Sequence, residues 1–201
     1  MKIVLASKNP HKLKEISKIT SQFGMELVLE SEIGVDIEVE ETGTTFEENS
    51  LLKAKAVMEA TGLPALADDS GIAVDALNGE PGVYSARYGF DDSLDDWGRL
   101  LLLLKNMEGV PEEKRQAHYV CVITFVTPDG QQIQTRGEVH GKLLTAPVGE
   151  GGFGYDPIFY YPPFEKTFAQ VSEEAKNGVS HRAKALELLN EKFKEAGYAD
   201  K

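Results

Sequence analysis

The sequence predicts an α/β fold built on a mixed sheet, and three observations carry that reading. Short apolar runs alternate with helical patterns through the first part of the chain, the order that builds parallel strands with crossover helices. Two long β-patterned segments joined by Pro128-Asp129-Gly130 follow, which is the signature of an antiparallel hairpin. No internal repeat, low-complexity tract or Pro/Gly-rich linker divides the 201 residues, so residues 1–201 read as one domain, with two lobes at most.

The elements follow in order. "KIVLA", Lys2 to Ala6, suits a strand buried on both faces. In "NPHKLKEISKITSQFG", Leu13, Ile16, Ile19, Thr20 and Phe23 recur at helical spacing and Gly24 supplies the stop. Glu26 to Leu29 reads as a second strand. Thr45 and Glu48 form a capping box for the helix "FEENSLLKAKAVMEATG", which Gly62 and Pro64 close. "PALADDSGIAVDAL" reads as two apolar runs broken by a Ser70-Gly71 turn, with Asp68 and Asp69 where a strand leaves its core. A helix over 92–107 carries the stripe "LLLLL". "AHYVCVITFVT" and "QQIQTRGEVHGKLL" are the arms of the hairpin. After the Gly-rich loop "VGEGGFGYDPIFY", a last helix over 180–196 aligns Ala183, Leu186, Leu189 and Phe193.

Composition narrows the function classes. The formal charge of -12 argues against a general nucleic-acid surface, which shows a basic patch. No apolar run approaches the roughly 20 residues that span a bilayer, and "MKIVLASKNPHK" turns polar too early for a secretory signal. The lone Cys121 sits in a strand pattern with no activating neighbour in sequence, so it reads as a core thiol and a reducing cytoplasm fits. The acidic run "DDSLDDWGR" reads as a solvated helix start. His118 and His140 read as strand residues.

Five stretches carry candidate chemistry. In "SKNPHK", Ser7 ends a strand, Asn9 suits an N-cap and Pro10 the first helical position; helix amino groups with Lys8 and Lys12 attract an anion. His11 has no separate signal. In "EVEETGTTFEENSLLKAK", Asn49 and Lys53 lie one turn apart on one helix face, and the dipole explains Glu47 and Glu48 but not Glu40 and Glu41. Hard oxygen ligands of that kind suit Mg²⁺. Asp68 and Asp69 repel each other unless a cation sits against them; a simple Asx-type turn would explain "DSG" equally well. In "GGFGYDP", glycines allow close backbone approach, and Phe153 and Tyr155 could stack on a planar base. In "KNGVSHRAK", His181 and Arg182 put cations in a first helical turn, against the macrodipole, which favours a ligand contact.

Taken together, "SKNPHK", "EETGTTFEENSLLKA", "ALADDSGIAVDALNGEPGVYSARY", "GGFGYDPIF" and "KNGVSHRAKAL", in this order and over almost the whole chain, resemble the inosine/xanthosine triphosphate pyrophosphatase family. The resemblance implies an elongated mixed sheet with two α/β lobes, a groove between them, and a homodimer. It implies hydrolysis of ITP, dITP or XTP to the monophosphate and pyrophosphate by water attack on the α-phosphorus. Mg²⁺ is the implied cofactor, with Mn²⁺ as a substitute, and neither nucleic acid nor membrane is a partner. Ser7, Lys8, Asn9, Pro10, His11 and Lys12 would hold the triphosphate. Glu40 and Asp69 would bind the metal with help from Asp68, and Asp69 would be the general base. Lys53 would reach a phosphate, with Asn49 beside it, and Ser70 would contact substrate. Phe153, Gly154, Tyr155 and Asp156 would clasp the base, and Lys176, His181 and Arg182 would complete its pocket. Two alternatives stand beside this: a Maf-like nucleotide pyrophosphatase, against which "FGYDPIF" and "SHR" speak, and a non-catalytic purine-nucleotide sensor, which would not need Asp69 beside a metal.

Overall fold

Seven strands form one mixed sheet in the computed structural model, which describes residues 1–8 and 10–198, with the backbone alone at Pro10 and His11. The strands are β1 (Lys2–Leu5), β2 (Glu26–Leu29), β3 (Ala65–Val74), β4 (Gln116–Val126), β5 (Gln132–Leu143), β6 (Phe159–Tyr161) and β7 (Lys166–Thr167). Their order is β2-β1-β3-β4-β5-β6-β7. β1 runs parallel to both β2 and β3, whereas β5, β6 and β7 pair antiparallel. The helices are α1 (Pro10–Thr20), α2 (Phe46–Thr61), α3 (Asp96–Asn106), α4 (Glu173–Asn177) and α5 (His181–Glu195). The mixed-sheet prediction holds.

The chain folds into two compact units. The first draws on Met1–Asp69, Cys121–Gly137 and the chain from Lys184 onward; the second draws on Ser70–Val120 and Glu138–Ala183. In the first unit Ile3, Leu5, Ile16, Phe23, Cys121, Phe125, Leu189 and Phe193 belong to one core. Val4, Ala54, Val57, Ala65, Ala67 and Val126 form another. Alternation along β1 explains the division, because Ile3 and Leu5 point one way and Val4 the other. In the second unit Ile72, Val74, Leu100, Leu103, Tyr119, Val139, Phe159 and Phe168 pack together.

Two local expectations change. The Ser70-Gly71 turn does not form: β3 runs unbroken through it, and every residue of the strand except Ser70 is buried. Two small residues were read as punctuation, but inside a sheet they remain extended and make room for neighbours. The helix expected from position 92 begins instead at Asp96, because the Asp95 side chain accepts the Gly98 amide at 2.7 Å and so caps α3 there. The first of the acidic residues, Asp91, accepts from the Ser93 amide and hydroxyl in the turn before it. α2 begins as the sequence predicts: the Thr45 hydroxyl accepts from the Glu48 amide, the Glu48 carboxylate accepts from the Thr45 amide, and Gly62 closes the helix at φ 67°. None of the described helices is long and apolar enough to cross a membrane.

Candidate active site

In the first unit the chemistry gathers around two adjacent carboxylates in mid-strand. Strand alternation turns Asp68 and Asp69 to opposite faces, and a lysine from a different helix meets each. Lys12 Nζ of α1 donates to both oxygens of Asp68, at 2.8 and 2.9 Å. Lys53 Nζ of α2 lies 3.4 Å from Asp69 Oδ1 and 2.8 Å from Glu41 Oε1. The like-charge problem in the sequence therefore has a structural answer: the two carboxylates face apart and each has its own cation.

Asp69 is the less well satisfied of the pair. It is 7% exposed, and its Oδ2 is buried with no hydrogen-bond partner among the described residues. Burial pushes its carboxyl up to about 6, against the pull of Lys53. Burial alone would lower the Lys53 ammonium, but the facing Asp69 and Glu41 outweigh it and hold it above the usual lysine range. The carboxyl thus lies close to neutrality in its titration while its lysine remains charged, the condition under which a carboxylate serves as a general base.

The other residues expected here are placed as follows. Glu40 is exposed in the extended segment before α2, and its neighbour Glu41 is the one that meets Lys53. Asn49 is fully buried; its Oδ1 accepts the Gly43 amide at 2.8 Å, so Gly43 must lack a side chain, since a Cβ would meet that oxygen at 2.5 Å. Lys8 pairs with Asp36 at 2.6 Å, both exposed, an arrangement of little stabilising value. Ser7 is half-buried after β1, and Ser70 half-buried after Asp69. Asn9 and the side chains of Pro10 and His11 lie outside the described residues; α1 begins at Pro10, the position the sequence predicts.

No group of three or more His, Cys, Asp or Glu side chains among the described residues could cage a cation by itself. A divalent cation such as Mg²⁺ takes one or two carboxylates and fills its remaining positions with phosphate and water. The unpartnered Oδ2 of Asp69 is a hard oxygen donor of that kind, so the residues fit a cation that arrives with a polyphosphate.

In the second unit a second cluster forms around Asp156, which is 1% exposed. Its carboxylate accepts three hydrogen bonds: from Lys176 Nζ at 2.5 Å, from the Phe153 amide at 3.0 Å, and from the Tyr119 hydroxyl at 3.0 Å. The Lys176 ammonium also lies 4.2 Å from the centre of the Phe153 ring. That ring is 68% exposed, a flat apolar face held in place by a cation beneath it. Gly152 has φ 69°, and a Cβ there would strike the Asp156 carboxylate, so the loop needs glycine on both counts. Gly154 also has positive φ, at 58°. The Tyr155 hydroxyl, held in its neutral form by burial, donates to the Ser85 carbonyl at 2.7 Å, and the Ser85 hydroxyl accepts the Ile72 amide. Tyr155 is therefore a buried anchor of the loop and presents no ring for stacking on a base.

His181 opens α5, where the Ser180 hydroxyl accepts the Ala183 amide, and Arg182 follows it half-buried. The His181 ring stacks on Tyr119, 5.0 Å apart and 14° from parallel. Sequence reasoning missed Tyr119 and Ser85 as members of these clusters, and it singled out Glu41 beside Glu40 but gave the metal role to Glu40 alone. Tyr119 was hidden within an apolar strand pattern and Ser85 within a turn region.

Comparison with known proteins agrees over nearly the full length. The Ham1 family model matches residues 3–192. A dITP/XTP pyrophosphatase of Yersinia pseudotuberculosis is 46% identical over 197 residues, 97% of this chain and 99% of the relative. That of Escherichia coli K12 is 45% identical over 190 residues, 94% of this chain and 95% of the relative. The solved structure of the Staphylococcus aureus Ham1 protein superposes with a TM-score of 0.91 at 41% identity, covering 98% of this chain and all of that one. The order of the motifs, the sheet, and these matches lead to one statement: the chain belongs to the Ham1 family.

Proposed function

We infer that this protein hydrolyses deaminated purine nucleoside triphosphates, dITP, ITP and XTP, to the monophosphate and pyrophosphate. The observation that carries the chemistry is Asp69, buried, half-satisfied and raised to about 6 beside a charged lysine. The relatives that bear the name dITP/XTP pyrophosphatase support the substrate class. Asp69 accepts a proton from the attacking water and directs it at the α-phosphorus. Lys53 and the positive groups around the start of α1, Lys8 and Lys12, hold phosphate oxygens, where positioning and charge supply most of the rate. Asp69 would hold Mg²⁺ or Mn²⁺ through its unpartnered Oδ2, with Glu40 of the segment before α2 as a second carboxylate, while Asp68, turned to the other strand face, would assist only through Lys12. Bound there, the ion would neutralise phosphate charge and acidify water.

The Asp156 cluster reads the base in this proposal. The exposed Phe153 ring stacks on the purine, while Lys176, His181 and Arg182 offer donors to a 6-oxo group. A 6-amino group offers no acceptor there, and leaving buried donors unpaired discriminates strongly. Ser70 contacts the substrate from β3. Residues 1–201 act as one pyrophosphatase domain, and the family resemblance also carries a homodimer and a cytoplasmic setting, which the buried, single Cys121 suits.

Product analysis tests this. With Mg²⁺, the protein should convert ITP, dITP and XTP to monophosphate and pyrophosphate and leave GTP, ATP and TTP largely intact. Diphosphate and phosphate as products would overturn attack at the α-phosphorus.

A further inference from the structure

We propose that Tyr119 is a positioning residue for base recognition, the buried strut that fixes Asp156 and His181 at once. This inference rests on the base-reading role proposed above for the Asp156 cluster. Tyr119 lies on β4, in the middle of the second unit's core, and its ring is packed against Phe159 and Phe168 at 4.7 and 6.2 Å. Such a position needs only an apolar side chain, and Phe would fill it. The hydroxyl requires a further reason.

That reason is geometric. The hydroxyl reaches Asp156 Oδ1 at 3.0 Å, while Lys176 and the Phe153 amide both bind the other oxygen, Oδ2. Tyr119 therefore fixes the rotation of the carboxylate about its own axis. Without it, Oδ1 would be free to turn toward Lys176 and draw the ammonium away from the Phe153 ring. The face of the same ring supports His181, nearly parallel at 5.0 Å, on an element that begins 62 residues later. One side chain thus sets the attitude of two recognition groups, one through its hydroxyl and one through its face. Burial with the adjacent carboxylate holds the phenol well above its usual range, so it remains a donor across the working pH range.

The two contacts separate by mutation. Tyr119→Phe keeps the stacked face and the packing but removes the donor; Tyr119→Leu removes both. For Tyr119→Phe we expect KM for dITP and XTP to rise about tenfold with kcat changed less than about threefold, the mark of lost binding geometry. The dITP to ATP ratio of kcat/KM should fall with it, because the cluster distinguishes a 6-oxo from a 6-amino group. KM and the selectivity ratio are independent of the fraction of folded protein, so partial unfolding does not obscure them. Tyr119→Leu should lose further affinity through His181. Unchanged KM and unchanged selectivity in Tyr119→Phe, with wild-type turnover of dITP intact, would overturn the role of Tyr119 and leave the proposed function standing. Absence of dITP and XTP turnover in the wild type would remove both.

Discussion

Asp69 holds the sharpest consequence at the scale of a residue. Asp69→Asn should abolish dITP turnover yet retain nucleotide binding, measured by calorimetry on the same preparation; turnover near wild type would remove Asp69 as the base. A stability effect accompanies this. Because burial raises the carboxyl from 3.8 to about 6, the folded chain binds that proton more tightly than the unfolded chain does. The contribution of the group is therefore most favourable below pH 4 and is lost as pH rises through about 6. Two pKa units correspond to about 3 kcal/mol at most. In metal-free protein, Asp69→Asn should thus be more stable than wild type at pH 8, by roughly 1–3 kcal/mol, with the gap shrinking below pH 6. Urea unfolding at the two pH values measures it, and a variant less stable at pH 8 would contradict it. The sequence revealed the Asp68-Asp69 pair as unusual. It did not reveal that the two point apart, since the local reading placed a turn where β3 continues.

At the scale of the element, α2 shows how much of a site depends on a helix start. The Thr45–Glu48 capping box and the Asn49–Gly43 bond fix the first turn, and Lys53 follows one turn after Asn49. Thr45→Ala removes one capping partner and should lower stability by about 1 kcal/mol. A fall in the thermal midpoint with no change in the products formed is the expected result. This element was fully legible, because its start and stop signals are local. The start of α3 was not: several acidic residues competed for the cap, and only backbone geometry selected Asp95. Tyr119 was illegible for a related reason. Within β4 it satisfies the apolar pattern, and its partner Asp156 lies 37 residues away.

At the scale of the whole molecule, the sequence shows no boundary because each unit is assembled from separated segments. Within the first unit, the Ser50 and Thr124 hydroxyls bond at 2.6 Å across 74 positions, and the Thr135 hydroxyl donates to the Ala185 carbonyl across 50. No linker is needed where the chain returns to complete a core, so none appears. The mixed sheet was legible from periodicity; the division was not, because it depends on contacts between distant segments. Cys121 provides a test of that packing. It is wholly buried in the first unit's core, so a thiol reagent should leave the native protein unlabelled and modify one thiol per chain on denaturation. Rapid labelling of native protein would show that this core opens readily.

The loop around Phe153 has one more implication. Its composition suggests slack, with glycine at 149, 151, 152 and 154. Yet the Gly151 amide is tied to Ala169, Phe153 to Asp156, and Tyr155 to Ser85. A loop already fixed in this way would have little freedom left to surrender if it receives a nucleotide as proposed. In the proposed role, its affinity would be set in advance by the fold, and discrimination between bases would rest on contacts rather than on which ligand can induce order.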